Sequence, residues 1–413
     1  MKRLKLARRL RRLKETGGNV SVFLTVAFAS VLLVCSVLYA AANAAADKSI
    51  ADAAFEGAGR SVLSEYDTRL LSEYGLLAFK GDETQIEEDV CYYAGVTVGS
   101  RISDFEITAN LKEFSLLDAD VFEKQLEKAA ASDLVTQLAT GSGKEGSENQ
   151  WKMPMRTLRN DDIKKSLPSA GLPAFSFPSL TELNVPDAAE LADRTSATVL
   201  TDEYIVSIFE YFEDGEENPD HFFNNEVEYI LCGHDSDALN IAQMWIEVTA
   251  FRTIMNEAAI VADDEKMETV RSVAEVLSAA TEIPQEAAQA AVINLWSEVE
   301  TANDIRLLKD GRKVAVVKNH NQWATDAPID LLHELNPTAI VLPQDESGAT
   351  YKDYLRMFLF VEDRETKLAR VQDLIQINLK GTYDEAFLLR SYYTGFRFTA
   401  KDGKNEFSYI ENY

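Results

Sequence analysis

Residues 2–14, KRLKLARRLRRLK, and residues 20–42, VSVFLTVAFASVLLVCSVLYAAA, decide the architecture of this chain. Residues 16–46 carry no charge, and eight Lys or Arg precede Gly18. A helix needs about 20 apolar residues to cross a hydrocarbon core roughly 30 Å thick. The 23 residues from Val20 to Ala42 meet that length, interrupted only by Ser21, Thr25, Ser30 and Ser36. In a helix such hydroxyls bond back to carbonyls of the preceding turn. The basic flank sets the orientation, with the N-terminus on the cytoplasmic side. These features predict a single-pass cell-membrane protein with an extracellular C-terminal body and the lipid bilayer as its first partner.

A cleaved secretory signal is the rival reading, because Ala42-Asn43-Ala44 has the small-x-small form of a cleavage site. The apolar run exceeds the ~7–15 residues of a signal core. No Pro or Gly lies between Val20 and Phe55, so residues 40–59, AAANAAADKSIADAAFEGAG, should extend the helix outward as a rod. An anchor is therefore favoured.

The full chain has 413 residues and a formal charge of −27. Eight of its 41 basic residues, but one of its 68 acidic residues, lie in the first eighteen positions, so the remainder is more acidic still. Such a body repels nucleic acid, and no basic stripe for phosphate binding is present. The basic tail suits anionic lipid headgroups as well as orientation. Cys35 falls in the span, and Cys91 and Cys232 read as free thiols in a body large enough to bury its own core.

The sequence divides into a basic tail (1–18), a transmembrane helix (19–46), a helical stalk and first part of the body (47–140), a Pro/Ser/Gly-rich linker or insertion (141–187) and a main body (188–413). Val62, Leu63, Leu70, Leu71, Tyr74 and Leu77 recur at helical spacing, with Gly75 or Gly81 at the helix end. Further helices are expected at 85–94, 122–139 and from 187 into the 212 region, then two or three across Ser236–Thr301, with Pro284 at the first helical position. Tyr351–Lys380 reads as two more. Strands are expected at Phe105–Ala109, in NNEVEYILCG (224–233) and in KVAVVK (313–318), with a terminal hairpin around Asp402-Gly403. The predicted class is α+β, an N-terminal transmembrane helix continuing as a long helix, then a mostly helical body with a small antiparallel sheet.

Few residues point to chemistry. The histidines are His221, His234, His320 and His333, and no HExxH, P-loop, GxSxG or GxGxxG occurs. Cys232-Gly233-His234-Asp235-Ser236-Asp237 has the atoms of a metal site, yet reads better as a turn at Gly233 followed by a helix capped at Asp235 or Ser236. Glu226 and Glu228 would share the solvent face of a strand, with Val227, Tyr229 and Leu231 facing inward. Asp263-Asp264-Glu265 and Asp82-Glu83 lack the spacing of a calcium loop and read as solvated. No catalytic residue, cofactor or metal site is predicted, and the chain does not read as an enzyme.

Gly17-Gly18-Asn19-Val20-Ser21-Val22-Phe23-Leu24 resembles the start of TadE/TadG-like assembly proteins of the tight-adherence (Flp) pilus. Ser61–Leu77, Glu226–Asn240, Asp304–Lys318 and Tyr351–Leu379 resemble an uncharacterised Gram-positive membrane-anchored family grouped with them. The resemblance implies a processing site at Gly18 and Asn19. Cleavage there would put Phe23 where matured pilins carry a glutamate at the fifth position, which argues against a major polymerising subunit. Small residues allow close helix approach, so Ala40, Ala41, Ala44, Ala45, Gly57 and Gly59 are the expected membrane-helix packing positions. The resulting expectation is a minor pseudopilin-like or accessory component of such a pilus or a related secretion apparatus. It would contact other membrane proteins of that apparatus and form homo- or hetero-oligomers through the N-terminal helix. A membrane-anchored extracellular ligand-binding or adhesive protein is the alternative.

Overall fold

The computed structural model describes residues 2–99, 105–140, 166–172, 188–212, 220–324, 348–402 and 405–413, of which 2–19, 133–140 and 188–197 as backbone only. The expected insertion at 141–187 therefore lies outside the described residues except for 166–172, and so do His333 and the hairpin tip at Gly403. The described chain is α+β, dominated by helices, with a small antiparallel sheet. It divides into two compact units.

The first unit comprises residues 1–66, 79–113 and 395–413. Helix α1 runs unbroken over Lys2–Leu63 and changes character along its length. Every residue from Val20 to Ser49 is exposed. From Ala51 onward one face is buried, through Ala54, Phe55, Ala58 and Val62, a helical stripe of the usual period. That stripe packs on α3 (Glu83–Val98) and on a sheet of β1 (Phe105–Asn110), β2 (Gly395–Asp402) and β3 (Asn405–Asn412). The central strand is β2; Phe105 pairs with Asp402, and Asp402 with Asn405, as the expected hairpin requires. Phe55 sits edge-on to Phe105, with ring centroids 5.0 Å apart, and contacts Phe407.

The second unit comprises residues 67–78 and 114–394. Its helices are α2 (Thr68–Tyr74), α4 (Ala119–Thr140), α5 (Ala188–Ile208), α6 (Glu226–Cys232), α7 (Asp237–Ala262), α8 (Asp264–Thr281), α9 (Gln285–Lys309), α10 (Tyr351–Val361) and α11 (Arg364–Thr382). The single helix expected over 62–77 is in fact two. Asp67 accepts the amides of Arg69 and Leu70 and starts α2 afresh, and Gly75 ends it. Val62 thus serves the first core, and Leu70 and Tyr74 the second.

Helix α11 is the hub of this unit. Nearly every side chain from Thr366 to Leu379 is buried, polar ones included. A buried polar group is tolerable when its hydrogen bonds are replaced. Gln372 donates to Leu116 O, Gln376 to Ser166 O, and Lys367 to Leu359 O and Asp202. A polar helix thereby ties surrounding backbone together.

Two strand expectations are overturned. Glu226–Cys232 is the helix α6, described below. KVAVVK forms only an isolated bridge between Val314 and Ala349. The carbonyls of Ala315 and Val316 are taken by the Arg252 guanidinium at 3.0 and 2.8 Å, so a side chain replaces the strand partner. Pro284 is the N-cap of α9, one position earlier than expected.

Candidate functional site

Two features combine chemistry with unusual placement: the exposed length of α1 and the acidic helix α6. In α1, the hydroxyls of Thr25, Ser30 and Ser36 bond to carbonyls three or four residues back, at 2.8–3.0 Å. These three hydroxyls are thus paired within the helix itself. Val20–Tyr39 presents thirteen large apolar side chains, each more than half exposed. This is the one helix among the described residues long and apolar enough to cross a membrane, a property that an anchor and a signal sequence share.

The residues expected along this helix are distributed as follows. Gly18 and Asn19 lie within α1 as helical backbone. Ala40, Ala41, Ala44 and Ala45 are exposed. Gly57 has open space where a Cβ would stand. Gly59 is different: a Cβ there would lie 2.8 Å from Glu411 Cγ and 3.0 Å from Phe398. Its small size serves packing within the first unit.

In α6 all seven residues are buried, including Glu226 and Glu228. The alternation that suggested a strand with a wet acidic face therefore has another origin. Both carboxylates receive donors from neighbouring chain in place of water. Glu226 accepts from Asn378 at 2.6 Å and from the Glu210 amide at 3.2 Å, and its carboxylate lies 2.8 Å from His221 Nδ1. Glu228 Oε1 accepts from the Phe212 amide at 3.1 Å and the Tyr351 hydroxyl at 2.8 Å. Its Oε2 is buried with no hydrogen-bond partner. Burial, with Asp237 adding repulsion, pushes the Glu228 carboxyl from its ordinary 4.5 up to about 7 despite those two hydrogen bonds.

The charge arrangement suits the helix dipole, with acids in the first turn and a cation at the last. Arg370 donates to Ile230 O and Leu231 O at 2.8 and 2.6 Å. Gly233 closes α6 at φ 72°, the left-handed region, with the Arg370 guanidinium 2.8 Å from where a Cβ would be. Burial pushes Asp373 up to about 6; it accepts from the Ser169 amide and the Tyr229 hydroxyl.

The Cys232–Asp237 run turns inward on its own backbone. Asn240 brackets the main chain of His234, and Cys232 Sγ donates to Asn240 O. Asp237 accepts from the amides of Asn224 and Asn225. Ser236 is the N-cap residue of α7 without a side-chain cap bond. Among the described residues no group of His, Cys, Asp and Glu is arranged to hold a metal. Asp82 and Asp263 cap α3 and α8. Cys91 and Cys232 are free, as is Cys35.

Beside α6 lies a cleft of about 300 Å³ lined by Leu167, Ser169, Phe222, Phe223, Tyr229 and Asp235 among others. The Phe223 and Tyr229 rings stack across its wall at 4.5 Å. A second buried charge cluster joins α7 to α9. Arg252 bonds Asp304 at 2.7 Å and Asn256 at 3.0 Å, and Lys318 bonds Asp304 at 2.6 Å and also Glu300. Two cations meet two carboxylates there, a closed set with no charge left over. Arg252 with Asn256 and Glu300 with Asp304 are neighbours at i, i+4, but the two pairs lie about fifty positions apart and nothing local signals that they meet.

Residues 150–402 match a family described as a family of unknown function, DUF5702. That stretch takes in α5 to α11 and the whole of β2, and it begins beyond α1. No curated protein and no solved structure matches the chain.

Proposed function

We propose that this chain, a member of the family of unknown function DUF5702, is a single-pass membrane protein acting through protein contacts rather than catalysis. Its role would be that of an accessory, pseudopilin-like component of a tight-adherence pilus or related secretion apparatus. One observation carries the membrane part: α1 continues without a break from a fully exposed apolar stretch into the packed core of the first unit. Exposed apolar area of that size favours transfer out of water, at about 25 cal/mol per Å². The basic tail supports an N-terminus in the cytoplasm. The pilus assignment rests on the sequence resemblance around Gly18–Leu24 and in the four blocks beyond it.

The test is affinity isolation of the tagged full chain from its native membranes. Co-isolation of pilus or secretion-apparatus membrane proteins is expected. Unchanged piliation and secretion after loss of the gene would contradict the assignment. The cleft beside α6 favours one other reading, an anchored ligand-binding protein, since its volume and aromatic lining fall within the range of small-molecule sites. That reading requires ligand binding that survives removal of residues 1–46 and is lost in Tyr229→Ala.

A further inference from the structure

Helix α7 departs from the usual surface pattern. A surface helix in a soluble unit places charge outward. Here every exposed residue lacks charge: Ala238, Leu239, Ala242, Ile246, Thr249, Ala250, Ile254, Ala258, Val261 and Ala262. Leu239, Ile246, Ile254 and Val261 are 44–61% exposed. The one cation of the helix, Arg252, is buried, in a chain of charge −27. The stripe is also symmetric about its midpoint. Four residues either side of Ala250 stand Ile246 and Ile254; eight away, Ala242 and Ala258; eleven away, Leu239 and Val261.

We infer that this face is an isologous interface, on which two copies of the chain pair α7 against α7, antiparallel, about a two-fold axis at Ala250. A two-fold interface must be complementary to itself, whereas a different partner places no such requirement on the stripe. In that register Ile246 of one copy enters the gap between Ala250 and Ile254 of the other. Gln243 lies seven residues before the axis and Glu257 seven after it, so each copy's Gln243 meets the partner's Glu257. The Gln243 amide already donates to Glu247 and has a second N–H to give. No carboxylate on the stripe is left opposite another. The stripe is about 33 Å long at 1.5 Å per residue. A helix pair of that length buries on the order of 1,000 Å² in total, the lower end for a specific interface. The pairing is therefore expected to be reversible. Because both copies are acidic, it should tighten as salt rises.

The test uses the full chain with Cys35→Ser and Cys91→Ser, in detergent, under mild oxidation. Alanine at the crossing lets the axes approach to about 8 Å, within reach of a disulfide. Ala250→Cys is expected to give at least about tenfold more cross-linked dimer than Glu275→Cys, on the exposed face of α8. Sedimentation of the otherwise unaltered chain with Ile246→Lys and Ile254→Lys should show self-association weakened by at least about tenfold. Both positions are exposed, so the thermal midpoint should stay unchanged, and this separates lost pairing from lost folding. Equal cross-linking at positions 250 and 275 would overturn the inference. So would self-association that survives the double lysine change, which would instead point to the N-terminal helix.

Discussion

Residues 20–49 and helix α6 invert the ordinary relation between side-chain chemistry and burial. The first stretch is mostly apolar and entirely exposed; the second carries two glutamates in its first turn and is entirely sealed. The same rule accounts for both. A segment is stable where each polar group has a partner and each apolar surface has a medium, and neither need be supplied by water. In α1 the helix pairs the hydroxyls of Thr25, Ser30 and Ser36 itself, and the apolar surface calls for a lipid or protein medium from outside the chain. In α6 the chain itself supplies the partners, from the 210–212 backbone, Asn378, Tyr351 and Arg370, for all but Glu228 Oε2, the oxygen on which a retained proton can sit.

That contrast is broken most severely on the sealed side. Arg370→Ala would strip Ile230 O, Leu231 O and the neighbouring Glu362 of their buried cation. Stability of the second unit is expected to fall by about 3–5 kcal/mol in denaturant titration. The matching change on the exposed side, Leu32→Ala, should move it by less than about 0.5 kcal/mol. Equal effects would mean that residues 20–49 are packed after all.

A smaller effect comes from Glu228. The folded Glu228 carboxyl keeps its proton up to about pH 7, while the unfolded one releases it near 4.5. Its contribution is therefore fully present below about pH 4.5 and is lost as pH rises through 7, by about 3 kcal/mol. Glu228→Gln should flatten that part of the pH–stability curve. A wild-type curve unchanged between pH 4.5 and 8 would show that Glu228 is solvated.

The smallest effects map the point where α1 passes from exposed to packed. Gly59→Val should cost about 1–3 kcal/mol through overpacking against Glu411 and Phe398. Gly57→Ala, in open space, should gain up to about 1 kcal/mol from helix propensity. Differential scanning calorimetry of the pair resolves the sign.

Much of this was legible locally. The apolar run from Val20, the stop at Gly75, the paired helices of Tyr351–Lys380 and the terminal hairpin follow from period, punctuation and length. What failed had a common cause. In α6, Glu226 and Glu228 two apart imitate a strand's wet face, because nothing local shows that amides of Glu210 and Phe212 take the place of water. KVAVVK has strand composition, but its carbonyls are claimed by Arg252 from more than sixty positions away. Of the small residues expected to pack helices in the membrane, Gly59 has its partners within the first unit instead, on strands that lie some 340 residues further along the chain.

Residues 20–42 are proposed to hold the chain in a bilayer. Alkaline carbonate extraction of membranes from cells producing the full chain tests it directly. The chain should stay in the membrane pellet, and should shift to the supernatant once Val31 and Leu32 are both changed to Asp, at about 2.5–3.5 kcal/mol each. Release of the unaltered chain into the supernatant would contradict it.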